Sequence, residues 1–464
     1  MDFNLPEDTI CAIATPIGEG GIGIIKISGP EALNIAAKLF RPGKTSHSFE
    51  SHRLLYGAIL DSNSREVVDE VLLSFMAGPH TYTREDVVEI NCHGGHLVLG
   101  RVLELALQAG CRLAEHGVFT RLAFLNGRID LSQAEAVLDI IHSRSEQSLL
   151  MANRHLRGDF RERIVAWRDQ LFRLHTEVEA FIDFSDDLEE EPAQSQSLAQ
   201  RLEDVTLPLE QVLANYDHGR ILRQGLTLVL AGKPNVGKSS LLNALLGKDR
   251  AIVTPIPGTT RDVIEDSFLL SGVLVSILDT AGIRLKADGI ESIGIEKTLA
   301  SVAEADVVLW LLDQSQPLTD EDDRVFAAVG SRPHVVLLNK SDLPALITAT
   351  EVMERYGLSR PAISLSVFNR ADIENLRTHL IDNFLKRPLQ MSSSAIVPNL
   401  RQKTCFEQAV ESLHRAQQLV AESSYTELVS MELHAATRCL DRVLGMEADD
   451  DLLDSICSQF CIGK

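Results

Sequence analysis

The residues with the most chemistry in this chain form the run Gly232-Lys-Pro-Asn-Val-Gly-Lys-Ser239, preceded by the apolar stretch Leu226–Ala231 and followed by Ser240-Leu-Leu-Asn-Ala-Leu-Leu246. The order is strand, glycine loop, helix, with the G-x-x-x-x-G-K-S spacing of a phosphate-cradling loop. Glycines let the backbone wrap a phosphate with its N–H groups inward, and the following helix offers its positive end. Lys238 reaches the terminal phosphates, and the Ser239 hydroxyl can ligate Mg²⁺. The stretch expected to touch nucleotide is Asn235, Val236, Gly237, Lys238, Ser239 and Ser240. A ligand-free glycine turn is the competing reading, and the motifs downstream argue against it.

Asn339-Lys340-Ser341-Asp342 follows the apolar run His334–Leu338. A carboxylate there accepts two hydrogen bonds from guanine N1–H and N2–H₂, which adenine cannot supply. An unpaired buried carboxylate is costly, so the site selects GTP over ATP. Asp279-Thr280-Ala281-Gly282 ends the apolar run Leu274–Leu278. Asp279 suits the Mg²⁺ shell and the Gly282 amide the γ-phosphate. Gly258-Thr259-Thr260-Arg261-Asp262 lies between, and Thr260 adds a Mg²⁺ ligand when its loop closes around γ-phosphate. Ile283 stands where Ras-type switches carry a water-orienting glutamine. Glu291 is the nearest well-placed carboxylate, or else an exposed residue at a helix start. Arg261 and Arg284 are candidate arginine fingers, or ordinary surface arginines.

Positioning these groups takes several elements. A chain of 464 residues, 45% apolar, makes two to four domains. No apolar run approaches the roughly 18 residues of a membrane helix. An acidic N-terminus without a leader pattern and seven scattered cysteines suit a reducing cytoplasm. The formal charge of −22 argues against a general nucleic-acid coat, so any RNA must meet a local basic surface.

The expected fold class is α/β plus α. Residues 1–120 read as an N-terminal α/β domain, with strands near Ile10–Ala14, Gly23–Ile27, Arg53–Leu60, Val67–Phe75 and Val87–Asn91, then a helix Leu97–Gln108. Residues 121–216 and 391–464 read as one discontinuous helical domain, from apolar residues recurring every three or four positions. Arg154, Arg157, Arg161, Arg163, Arg168 and Arg173 there form either an RNA-facing surface or, the favoured reading, a solvated face with intrahelical ion pairs. Ser185–Ser197 reads as a loop or hinge and Met391–Pro398 as a linker. Residues 217–390 read as an inserted P-loop GTPase domain with a doubly wound, mostly parallel sheet. Cys457 with Cys461, and Cys92-His93 with His96, are too sparse for a metal site.

The chain resembles the MnmE (TrmE) family of tRNA-modification GTPases over nearly its whole length. The resemblance is carried by Ala14-Thr-Pro16 with Gly20-Gly-Ile-Gly23, Glu85-Asp-Val-Val-Glu89, His93-Gly-Gly95, the run Ala123–Ala136, Gly258–Asp262 and the terminal Phe460-Cys-Ile-Gly-Lys464. It implies a folate-binding N-terminal domain that makes a homodimer, and work with the flavoprotein MnmG in a heterotetramer or larger complex. It implies an aminomethyl or carboxymethylaminomethyl group installed at C5 of the wobble uridine of certain tRNAs. The carbon would come from 5,10-methylenetetrahydrofolate (or a formyl-tetrahydrofolate analogue), with FAD and NADH used on the partner. It also implies K⁺ held by Asn235, Thr254, Ile256 and Thr259, supplying the charge an arginine finger would otherwise bring. Thr254, Pro255, Ile256, Pro257, Gly258, Thr259 and Thr260 then belong to the GTP site, as do Ser366, Val367 and Phe368 behind the guanine. Glu291, Lys238 and Thr260 carry the catalytic roles.

The folate positions map onto Lys26, Glu89, Arg128 and Lys464, each of which alone would pass for a surface ion-pair residue. Lys26 stands where the family usually has arginine, Arg84 replaces a usual glycine, Glu115-His-Gly-Val118 replaces Pro-Gly-Glu, and Leu122 replaces an arginine. Two other readings share the nucleotide motifs: a ribosome-assembly or regulatory RNA-binding switch without transfer chemistry, and a GTP-regulated one-carbon transferase with a small acceptor.

Overall fold

A computed structural model describes residues 8–16, 18–43, 48–183, 192–247, 266–278, 302, 305–330, 332–391, 395–422, 426–447 and 450–464. The chain divides into two compact units, one of residues 1–141, 154–205 and 408–464, the other of residues 142–153 and 206–407.

The first unit opens with strands β1 (Ile10–Ile13) and β2 (Gly20–Ser28), helix α1 (Ala32–Leu39), and strands β3 (Phe40–Pro42), β4 (Arg53–Leu60), β5 (Val67–Met76) and β6 (Val87–Gly94). Helix α2 (His96–Gln108), β7 (Arg112–Leu113) and α3 (Val118–Leu125) come next. The sheet order is β3-β4-β5-β6-β2-β1-β7. Successive strand residues point to opposite faces. Ile25, Ile27, Leu73, Val88 and Ile90 therefore meet Ile35, Leu39, Leu99 and Val102 of the two helices in one core. The residues between them, Lys26, Ser28, Glu89 and Asn91, face the other way.

Helices α4 (Leu131–His142), α5 (Glu146–Arg157), α6 (Asp159–Asp183) and α7 (Pro192–Ala214) follow. The expected loop over Ser185–Ser197 is shortened, because the helix already begins at Pro192. Proline lacks an N–H that the first helical turn does not use, so it opens a helix as well as it breaks one. Arg168 donates from Nε to Asp441 Oδ1 at 2.9 Å, and Arg161 lies 3.1 Å from Asp130. Those two arginines thus bridge between elements, where ion pairs within one helix were expected.

In the second unit, α8 (Tyr216–Gln224) leads to β8 (Leu226–Ala231) and α9 (Lys238–Leu246), then β9 (Asp266–Leu270), β10 (Val273–Leu278) and β11 (Val307–Asp313). Next come α10 (Asp320–Val329), β12 (His334–Asn339), α11 (Ala349–Tyr356), β13 (Ile363–Ser364), α12 (Arg370–Leu380) and α13 (Lys386–Gln390). The sheet order is β13-β12-β11-β8-β10-β9, with only β9 antiparallel to its neighbour. Leu228, Leu230, Leu309 and Leu337 pack with Leu241, Leu245, Leu376 and Leu380 of α9 and α12. Val229, Val308, Trp310 and Leu338 pack on the opposite side with Val329 and Val352 of α10 and α11. Strands apolar on both faces are what a parallel sheet between two helix layers requires. Ile396 and Val397 are buried, and Val397 lies against Gly219, so the expected linker at 391–398 is partly packed in place.

Helices α14 (Leu400–Ala421), α15 (Thr426–Leu444) and α16 (Asp450–Cys457) end the chain, and α15 runs antiparallel along α6.

Candidate functional site

The phosphate loop leaves the carboxyl end of β8, a central strand, and enters α9 at Lys238. Asn235 at φ 62° and Gly237 at φ 103° turn the backbone into a concave arc. A side chain on Gly237 would strike Asn339 Nδ2. Val236 buries its side chain, while its carbonyl accepts from Asn339 Nδ2 at 2.7 Å. Lys238 Nζ donates to the Gly232 and Lys233 carbonyls at 2.6 and 2.9 Å, inside the loop it would serve. Ser239 and Ser240 are exposed at the first turn of α9, with no side-chain cap on its amides. The N–H groups of that turn and the helix dipole make the loop a fit for polyphosphate.

Asn339 ends β12, two strands from β8. Its Oδ1 is buried without a hydrogen-bond partner among the described residues, the mark of a place built for a polar ligand. Lys340 donates to Asp313 Oδ2 at 2.6 Å. Burial works against charge on Asp313, but hydrogen bonds from Lys340 and Ser315 overcome it and hold the carboxyl below its ordinary range. The Ser341 amide donates to the Leu365 carbonyl at 3.2 Å, and Ser366 Oγ donates to Asp342 Oδ1 at 2.6 Å. The family resemblance implied that Ser366 and Asp342 share a site; their hydrogen bond lets Ser366 orient the Asp342 carboxylate. Val367 is half-buried against the core, and Phe368 is 86% exposed. Thr254–Thr260, Asp279–Gly282 and Glu291, expected to carry the K⁺, Mg²⁺ and water-orienting roles with Asn235 and Ser239, lie outside the described residues.

A second constellation lies in the first unit. Lys26 and Glu89 are directly paired across β2 and β6, with Nζ 3.9 Å from Oε1. Lys26 Nζ is 5.3 Å from the Phe119 ring centre and 5.7 Å from that of Tyr82, and Arg128 lies over the same Tyr82 ring at 5.2 Å. Arg128 Nη1 donates to the Thr81 carbonyl at 2.7 Å, and the Tyr82 hydroxyl shares a 2.9 Å hydrogen bond with Thr120.

The carboxyl end of the chain reaches the same place. Ile462 bridges His116, Gly463 offers its carbonyl to Lys26 Nζ at 3.5 Å, and the Phe119 amide donates to a main-chain oxygen of Lys464 at 3.2 Å. Burial pushes the Lys26 ammonium down from the usual lysine value; Glu89 opposes the shift and Lys464 adds to it. Lys26, Glu89, Arg128 and Lys464 are thus gathered from four remote segments. A carboxylate and two cations at two aromatic rings, with the Lys464 charge acting on Lys26, fit a flat, hydrogen-bonding, anionic ligand.

Tyr82 and Phe119 were not singled out by sequence reasoning, because nothing local marks an aromatic residue as a wall. Arg84, at a usual glycine position, holds φ 61° and donates to the Asn126 carbonyl at 2.8 Å. Cys92 faces the core while His93 faces outward to Asp69 at 2.6 Å. Cys457 is buried at the end of α16 and Cys461 is exposed beyond it, so they share no helix face.

A parallel sheet carrying this loop at a central strand and Asn-Lys-x-Asp two strands away defines a P-loop guanine-nucleotide protein. Family models described as "GTP-binding protein TrmE N-terminus" and "MnmE helical domain" match residues 9–128 and 131–461. The chain is 57% identical to a tRNA modification GTPase MnmE of Syntrophobacter fumaroxidans, over 99% of this chain and 98% of that one. It is 43% identical to the MnmE of Carboxydothermus hydrogenoformans and 44% to that of Chloroflexus aurantiacus, over 99% of this chain and 100% of theirs in both cases. The chain belongs to the MnmE family of tRNA modification GTPases.

Proposed function

We propose that this GTPase drives modification of the wobble uridine of certain tRNAs at C5, with a folate as carbon donor and the flavoprotein MnmG as partner. The observation that carries the reading is the meeting of Lys26, Glu89, Arg128 and the Lys464 tail at one aromatic-walled place, in a chain that also holds a guanine-nucleotide loop. A switch without transfer chemistry has no use for such a place.

In the nucleotide site, Lys238 and the α9 amides bind phosphate, and Asp342, oriented by Ser366, accepts from guanine. Ser239 and Thr260 hold Mg²⁺. Asn235, Thr254, Ile256 and Thr259 hold K⁺, and Glu291 orients the attacking water. The cations, when bound, neutralise charge developing on the phosphates. In the second site, Glu89 accepts from pterin N–H donors, and Lys26, Arg128 and Lys464 meet ring acceptors or carboxylates. FAD and NADH act on the partner.

The working assembly is a homodimer joined to MnmG, in the cytoplasm; among the described residues no helix is long and apolar enough to cross a membrane. GTP turnover opens and closes the nucleotide domains and so gates the transfer. The deciding experiment is nucleoside mass spectrometry of tRNA from cells with and without this chain. Loss of the C5-substituted wobble uridine is expected, and an unchanged nucleoside profile refutes the reading. Turnover that is equal in K⁺ and Na⁺ removes the potassium ligands from it.

A further inference from the structure

Lys233 is the second residue of the phosphate loop, yet its side chain, 10% exposed, is drawn into an ion pair with Asp322 of α10, 1% exposed. Asp322 Oδ2 accepts from the Thr319 amide at 2.9 Å, the Thr319 hydroxyl at 2.8 Å and Lys233 Nζ at 3.0 Å. Asp322 Oδ1 is buried without a hydrogen-bond partner among the described residues. Capping α10 does not call for this. Helix α11 starts with the same reciprocal box, from Thr348 and Glu351, and does so in solvent with no lysine. A carboxylate buried with its partner is expensive to desolvate, and such pairs fix geometry more than they stabilise.

The geometry fixed here is that of the loop. The Lys233 carbonyl accepts from Lys238 Nζ at 2.9 Å, so the backbone that Asp322 anchors through the Lys233 side chain is also the backbone that stations the phosphate-binding lysine. Pro234 narrows the conformations of Lys233 further. We propose that Asp322 is a positioning residue for nucleotide binding: by holding Lys233 down, it sets the loop from which Lys238 is delivered to the phosphates. This rests on the GTPase reading and adds to it a residue outside the nucleotide motifs.

The test compares Asp322→Asn, Lys233→Met and the double variant in the full chain, with Thr319→Ala as a control that weakens the same helix start without touching Lys233. GTP and GDP affinity, KM and kcat for GTP, and the melting temperature are measured on each. Each single change to the pair is expected to raise Kd and KM about 10- to 100-fold, with kcat within about twofold, as expected when ground-state and transition-state binding are lost together. The double variant should be no worse than the worse single, because both act through one contact. Thr319→Ala should melt earlier and bind GTP normally.

Wild-type affinity in folded Asp322→Asn or Lys233→Met overturns the proposal, as do factors that multiply in the double variant. If Asp322→Asn does not fold, Lys233→Met decides by the same criterion. A wild-type chain that binds no GTP defeats the GTPase reading itself, whereas normal wild-type binding with unaffected variants defeats only the role of Asp322.

Discussion

Gly463→Ala tests whether the carboxyl-terminal tail is part of the Lys26 site or merely lies near it. Gly463 adopts φ +94°, where an L side chain is strained, and a methyl there would sit 2.7 Å from both Ala14 Cα and the Ile13 carbonyl oxygen. Both obstacles are backbone of the β1 end and cannot swing aside. The left-handed conformation costs about 1–2 kcal/mol. Withdrawal would lose the Phe119-to-Lys464 hydrogen bond, about 1 kcal/mol net, in either chain, so that bond does not enter the difference. With the overlap added, roughly 2–4 kcal/mol disfavours the seated tail, a factor of about 30 to 700. Two measurements read this. Hydrogen exchange at the Phe119 amide reports seating directly, and calorimetric titration with 5-formyltetrahydrofolate reports the site. Faster exchange and weaker folate binding should appear together, with GTP turnover in the isolated chain unchanged. Folate affinity that survives while the Phe119 amide is released would show that the tail contributes nothing to the ligand, and the argument from convergence would fail.

Three further outcomes are expected. Asp342→Asn should cost GTP affinity at least about a hundredfold, since an acceptor facing guanine N–H groups becomes partly a donor; Ser366→Ala, which removes only the 2.6 Å hydrogen bond to Asp342, should cost about fivefold, both by nucleotide titration. Removing Lys464 should reduce tRNA modification while GTPase activity persists, and full modification in its absence would take it out of the folate site. Burial sets the folded pKa of Lys26 below the ordinary lysine value of 10.5, so the unfolded chain holds the proton more tightly. Stability should therefore rise with pH between the folded pKa and 10.5, and Lys26→Met should flatten that slope in urea unfolding curves.

The nucleotide site was legible because its parts are local. A loop of eight residues and a tetrapeptide at a strand end state their chemistry through spacing, and β8, β11 and β12 announce burial on both faces by unbroken apolar runs. Helix α1 was legible and overlooked: Ala32, Ile35, Ala36 and Leu39 follow the helical period and are all buried. Ser185–Ser197 was read as a loop through Pro192 because the letter does not say whether a proline opens a helix or interrupts one.

What the sequence by itself determined was the class of protein, a GTPase, since the phosphate loop and the Asn-Lys-x-Asp tetrapeptide need only their own short motifs. What the tertiary structure decided was company. Lys26 meets Glu89 through strand register, Lys26 and Arg128 meet over the Tyr82 ring by the fold of a loop, and Gly463 reaches Lys26 only after the chain has returned to its first strand. Asp322 likewise reaches Lys233 only after β11 has been laid beside β8. Such contacts depend on chain closure over tens to hundreds of residues, and no periodicity or spacing within a segment records where that closure falls.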